Sequence, residues 1–137
     1  MIEEKIKISS QFSVVPQTIK GLMDIISAQG INPQTMFNIK LSIEEALTNA
    51  IKHGNKSNPD LFVTITVRIS DTEVEITVVD EGQGFDYSQL KDPTVPENLT
   101  RTSGRGVYLI RNLMDRVEYF DCGRGLKMVK SLQGGKA

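Results

Sequence analysis

Apolar residues recur at every second position in two neighbouring stretches and at helical spacing in three others. In "LFVTITVRI", Leu61, Val63, Ile65, Val67 and Ile69 share one side, and Thr64, Thr66 and Arg68 share the other. That alternation predicts a strand with one buried face. "TEVEITVV" repeats it with Val74, Ile76 and Val78, and the "SDT" between the two predicts a tight hairpin connection. Ile2, Ile6 and Ile8 alternate more loosely and predict a first strand over residues 2–8. Ile19, Leu22, Met23 and Ile26 predict a helix over 16–29, with Pro16 in its first turn and Gly30 as its stop. Asn32-Pro33 marks a second helix start, Asn as N-cap and Pro at the first helical position; that helix runs to about His53 and ends at Gly54. "GVYLIRNLMD" predicts a third helix, with Val107, Ile110 and Met114 on one side. "VEYF" and "LKMVKSL" predict two closing strands around the turn Cys122-Gly123-Arg124-Gly125, before a frayed tail. The order of elements predicts an α+β two-layer sandwich: one mixed, mainly antiparallel sheet with helices on one face.

Composition narrows the function classes. With 137 residues the chain carries one hydrophobic core, read as a single domain over 1–137. Sixteen basic residues face seventeen acidic ones, so no basic excess points to direct nucleic-acid binding. A single cysteine, Cys122, excludes an internal disulfide framework, and with one histidine the chain is poor in transition-metal ligands. No apolar run approaches the ~20 residues of a membrane span, and "MIEEKIKISS" does not read as a signal peptide. The expectation is a cytoplasmic protein without a membrane partner.

Three places carry candidate chemistry. In "SIEEALTNAIKHGN", Glu45, Asn49 and His53 stand four residues apart, along one side of a helix that buries Ile43, Ala46, Leu47 and Ala50. A glutamate can act as a general base, an amide oxygen can ligand Mg²⁺, and a histidine can donate to phosphate. A solvated polar edge has the same spacing. In "VVDEGQGFD", Asp80 has the parity of the core row, so an undistorted strand turns it inward. A buried carboxylate needs donors, and a purine's exocyclic amine is one. Gly82 and Gly84 would let the backbone pass a flat ring or adopt positive φ, although a strand-end turn capped by Asp80 reads the same way. In "TSGRGVYLIRNL", Gly104, Arg105 and Gly106 precede a helix, where free N–H groups bind phosphate; an ordinary glycine-rich helix start is the alternative. Residues 81–104, holding Gly82, Gly84, Pro93, Pro96 and Gly104, form a long loop, and loops beyond ~12 to 15 residues are usually functional. No GxxxxGK[ST] is present, and neither "GQGFDY" nor "GRGVYL" completes GxGxxG.

The three motifs in this order resemble the GHKL ATPases, the superfamily of gyrase, MutL and the histidine kinases, with their Bergerat nucleotide fold. "EALTNAIKHGN" resembles the N box, "DEGQGFD" the first glycine box and "SGRGVYLIRNLMDRV" the second. The close spacing and "GRGVYLIRNLMD" are most similar to the bacterial anti-sigma-factor serine kinases, over about residues 6–132. The resemblance implies ATP and Mg²⁺ as cofactors. It implies Glu45 as the base toward a serine hydroxyl, Asn49 as the Mg²⁺ ligand and His53 near the phosphates. Asp80 would accept from the adenine amine, Gly82 and Gly84 would give the ring room, and residues 87–104 would be the ATP lid. Ser103, Gly104, Arg105, Gly106 and Val107 would wrap the phosphates. The implied partners are a sigma factor and a STAS-domain anti-anti-sigma protein, with a homodimer expected. Two positions depart from the family pattern: Gly125-Leu126 stands where Gly-Thr is frequent, and Thr102 where some members have Arg, leaving Arg101 or Arg105 for the γ-phosphate. A non-catalytic ATP-binding module and a detached histidine-kinase domain are the rival readings.

Overall fold

In the computed structural model, which describes residues 2–84 and 109–132, five strands form one sheet. They are β1 (Ile2–Ser9), β2 (Phe62–Ile69), β3 (Glu73–Val79), β4 (Arg116–Phe120) and β5 (Gly125–Ser131). Their order across the sheet is β1-β2-β3-β5-β4, and all four pairings are antiparallel. The expected parallel admixture does not occur among the described residues. Register places Ile6, Ile65, Val78, Leu126 and Tyr119 side by side in one row, and Glu4, Val67, Ile76, Met128 and Val117 in the next. The apolar residues of β2 and β3 in these rows are buried, as the period-two pattern requires.

Two helices cover this face. Helix α1 (Val15–Ser27) has Pro16 in its first turn and buries Ile19, Leu22 and Ile26. Helix α2 (Pro33–Asn49) is capped by Asn32, whose Oδ1 accepts a 2.8 Å hydrogen bond from the Thr35 N–H. It turns Ile39, Ile43, Ala46 and Leu47 into the core at three- and four-residue spacing. Residues 109–113 are helical as well, and Ile110 is fully buried. The other sheet face is polar, with Lys5, Thr66, Thr77, Lys127 and Glu118 in one row. Arg68 bridges Glu3 (3.3 Å) and Glu75 (3.2 Å) across it. Such exposed pairs contribute little, so the core face holds the layers together.

The second helix does not stay α-helical to Gly54. Beyond Asn49 it widens into a π-type turn, Ala50–Gly54, and the Asn55 N–H reaches back five residues to the Ala50 carbonyl (2.8 Å). Turns of this kind cluster at functional sites. The loop beyond it holds Lys56 and Ser57 at φ 52° and 57°, conformations that side chains other than glycine rarely adopt.

Asn32→Ala removes the acceptor for the Thr35 N–H. It should cost about 1 kcal/mol, read as a lower urea midpoint at unchanged slope.

Candidate functional site

A cavity of about 350 Å³ opens where the C-terminal end of α2 meets the ends of β3, β4 and β5. Its apolar wall is Ala46 and Ala50 from the helix side, with Val78, Tyr119 and Leu126 from the sheet. Val78, Leu126 and Tyr119 are the end of one cross-strand row, so strand register itself builds this wall. The polar lining is Asn49, His53, Lys56, Asp80, Gln83 and Arg124. Flat apolar walls with a few polar groups at the ends suit a heteroaromatic ring carrying a charged extension.

Asp80 follows β3 and faces inward, as its parity predicts; only 8 % of it is exposed. Its N–H donates to the Arg124 carbonyl (3.0 Å), and its Oδ1 accepts from the Gly82 N–H (2.8 Å). Burial pushes its carboxyl above the ordinary value, against the opposing pull of the Gly82 N–H and the Arg124 charge. Among the described residues the Gly82 N–H is the one hydrogen-bond donor to this carboxylate, and a ligand N–H would add another.

Glycine is required at two positions for reasons of the protein itself. A Cβ on Gly54 would run into the Asp80 carboxylate, and one on Gly82 into the Gly54 carbonyl. To the expectation that Gly82 makes room for a ring the structure adds a nearer constraint: helix end and strand end touch through bare backbone. Gly84 takes φ +76° against the Cys122 carbonyl and does line the cavity. The hairpin holding Cys122 passes through three successive left-handed residues, Asp121, Cys122 and Gly123. Arg124 ties that hairpin to the glycine loop: its Nε donates to the Gly82 carbonyl (2.7 Å) and its Nη2 to the Gln83 carbonyl (3.3 Å).

At the helix end, Asn49 and His53 both reach the cavity, and Glu45 is not part of its lining. Glu45, half-buried one turn before Asn49, makes no ion pair with any other described residue. The Asn49 Oδ1 is buried and accepts no hydrogen bond among the described residues. An orphaned acceptor of this kind costs free energy unless something else binds it. A hard cation suits it. No cluster of three acidic, histidine or cysteine side chains stands among the described residues to hold a metal, so such a cation would share its shell with water and ligand oxygens. Burial and the neighbouring Lys52 hold the His53 imidazole below its ordinary value. Burial pushes the Tyr119 hydroxyl up to about 12, so it keeps its proton at neutral pH.

Ser103, Gly104, Arg105, Gly106 and Val107, with Arg101 and the expected lid, lie outside the described residues. The structure adds Gly54, Lys56, Tyr119 and Arg124, which the sequence reading did not single out. Tyr119 was legible: it shares the core parity of Val117 in β4. Lys56 and Arg124 follow from turn geometry that no periodicity announces.

Comparison with known proteins gives a family and a fold. A family model described as "Histidine kinase-like ATPase domain" matches residues 8–130. The serine-protein kinase RsbW of Staphylococcus epidermidis is 30% identical over 141 residues, spanning 96% of this chain and 87% of that protein. RsbW of Listeria innocua is 30% identical over 135 residues, spanning 90% of this chain and 86% of that one. The crystal structure of the RsbU and RsbW domains of Rv1364c from Mycobacterium tuberculosis superposes with a TM-score of 0.66 at 14% identity. That match covers 96% of this chain and 32% of the longer one, and it shows a shared fold.

The raised carboxyl of Asp80 has a sign that can be checked. The folded state binds this proton more tightly than the unfolded chain. Its contribution is fully present below the ordinary value of 3.8 and is lost as pH rises through the folded value. Asp80→Asn should therefore gain stability relative to the parent between about pH 4 and pH 7 in urea unfolding. A parent that gains on the variant over that range would contradict the burial of a donor-poor carboxylate.

Proposed function

The chain belongs to the histidine kinase-like ATPase domain family, and on that premise we propose that it is an ATP-dependent protein serine/threonine kinase of the anti-sigma type. In this reading it phosphorylates a small STAS-domain anti-anti-sigma protein and otherwise holds a sigma factor, as a cytoplasmic homodimer. The observation that carries the nucleotide reading is one cavity lined by both Asn49, whose buried Oδ1 has no hydrogen-bond partner among the described residues, and the buried Asp80 carboxylate, which keeps acceptor capacity beyond its bond from the Gly82 N–H.

Each fits one end of Mg-ATP. Asp80 accepts from the adenine amine while Val78, Leu126 and Tyr119 wall the ring. Asn49 would hold Mg²⁺ through its side-chain oxygen, and the metal would supply charge to offset that developing on the phosphates. His53 and Lys56, which also line the cavity, would supply donors to the phosphates. Glu45 orients the acceptor serine and takes its proton as the serine oxygen bonds to the γ-phosphorus. The bond to the bridging oxygen breaks, and ADP leaves with that electron pair. Positioning and electrostatics dominate such transfers.

One observation favours a second reading. Glu45 stands outside the cavity lining, which suits a module that binds ATP to shape a partner surface without transferring phosphate.

Glu45→Gln separates the two. Under the kinase reading, labelled phosphate transfer from Mg-ATP to a STAS-domain protein should fall by about 10²–10⁴-fold, with ATP affinity preserved. An unaltered protein that binds ATP tightly and labels no acceptor supports the binding module instead.

Asn49→Ala should remain folded, since it deletes a buried atom that has no partner among the described residues. Its nucleotide affinity should lose its dependence on Mg²⁺. Titration of ADP with and without the metal reads this directly, and an unchanged metal dependence would remove Asn49 from the site.

A further inference from the structure

Asn55 is the most thoroughly bonded buried side chain near the cavity, and it does not line it. Only 1% of it is exposed. Its Nδ2 donates both hydrogens, to Ser10 Oγ (2.7 Å) and to the Phe62 carbonyl (3.0 Å). Its Oδ1 accepts the Glu81 N–H at 2.8 Å. The orientation of the amide is forced. Ser10 Oγ donates onward to the Leu61 carbonyl (2.8 Å), so it accepts from Asn55, and a flipped amide would set NH₂ against the Glu81 N–H.

This side chain connects the end of β1, the start of β2 and the residue after Asp80. The chain through Asp80 is gripped on two sides, by the Arg124 carbonyl on its own N–H and by Asn55 on the next N–H. Asn55 also directly follows Gly54, whose carbonyl abuts Gly82 and whose Cα faces the Asp80 carboxylate. One amide thus sets the height of the carboxylate against the helix that carries Asn49 and His53.

We propose that Asn55 is a positioning residue for base recognition: through Glu81 N–H it aims the Asp80 carboxylate, and so sets discrimination of a 6-amino purine from a 6-oxo purine. The proposal rests on the nucleotide reading of the cavity. A residue that merely holds the fold would weaken all nucleotides alike. A residue that aims Asp80 changes the ratio between two ligands that differ only at the position Asp80 reads.

The probes are ADP and inosine diphosphate, measured by calorimetry on the full chain with Mg²⁺. Asn55→Ala should lower the preference for ADP about tenfold, with the affinity for inosine diphosphate little changed. Asn55→Asp keeps an acceptor for the Glu81 N–H and loses both donated bonds. It should melt earlier than the parent yet keep the ADP preference within about twofold. An unchanged ratio in Asn55→Ala overturns the proposal. Where Asn55→Ala does not fold, Asn55→Ser, which also removes the acceptor that the Glu81 N–H uses, decides by the same ratio: a lowered ADP preference supports the proposal and an unchanged one overturns it, as does loss of that preference in Asn55→Asp. Failure of the unaltered protein to bind either nucleotide would sink the nucleotide reading itself, a distinct result.

Discussion

The helix that ends in the π-type turn and the strand that ends in Asp80 meet without side chains between them. The Gly54 carbonyl abuts Gly82, and the Gly54 Cα faces the Asp80 carboxylate. Most of what the cavity offers depends on that approach. It brings Asn49 and His53, carried by a helix, to the same cavity as Asp80, carried by a strand, and it leaves the apolar wall between them free of protein atoms. A single methyl group at either glycine would have to push the two layers apart, and packed layers do not yield by that much without cost.

The groups held there are poor choices for stability. A carboxylate is buried with one nearby N–H donor, and an amide oxygen is buried with no partner among the described residues. Buried polar groups are ordinarily satisfied; among the described residues Ser42 Oγ also lacks a partner, whereas Asn55, more buried than Asn49 or Asp80, uses both its donors and its acceptor. The contrast separates two jobs. Asn55 builds the frame, and Asn49 and Asp80 keep acceptor capacity toward the cavity. Local violations of packing rules at a site otherwise supported on all sides are what function looks like in a folded chain.

Much of this was legible in the residues. Alternation in 61–69 and 74–78 gave the central strands, and extending its parity by one step turned Asp80 inward, where the structure has it. Asn32 and Pro33 started their helix as expected because capping is a local interaction. The α-helix stopped short of the predicted end because nothing in "NAIKHGN" distinguishes a π-type turn from an α-turn; the choice is made by Asn55 being pulled toward Ser10 and Phe62, which are remote in sequence. The same remoteness hid Arg124, whose partners Gly82 and Gln83 are 42 and 41 residues away. Gly82 shows the same limit: the sequence indicates that backbone must come close there, and the fold adds the Gly54 carbonyl as one group it approaches.

The wide turn at Ala50–Gly54 has a consequence for how such a chain can vary in length. A π-type turn is an α-helix with one residue too many, each residue advancing the helix by about 100°. Deleting one residue between 50 and 54 would let the backbone return to regular α-geometry at little local cost. The wider turn spreads its extra residue over about the arc that a regular α-turn covers with one fewer, so Gly54 and Asn55 would stay near the strand end and the socket they fill. The extra residue therefore acts as slack, a point inside a helix where the chain can change length by one and keep helix end against strand end.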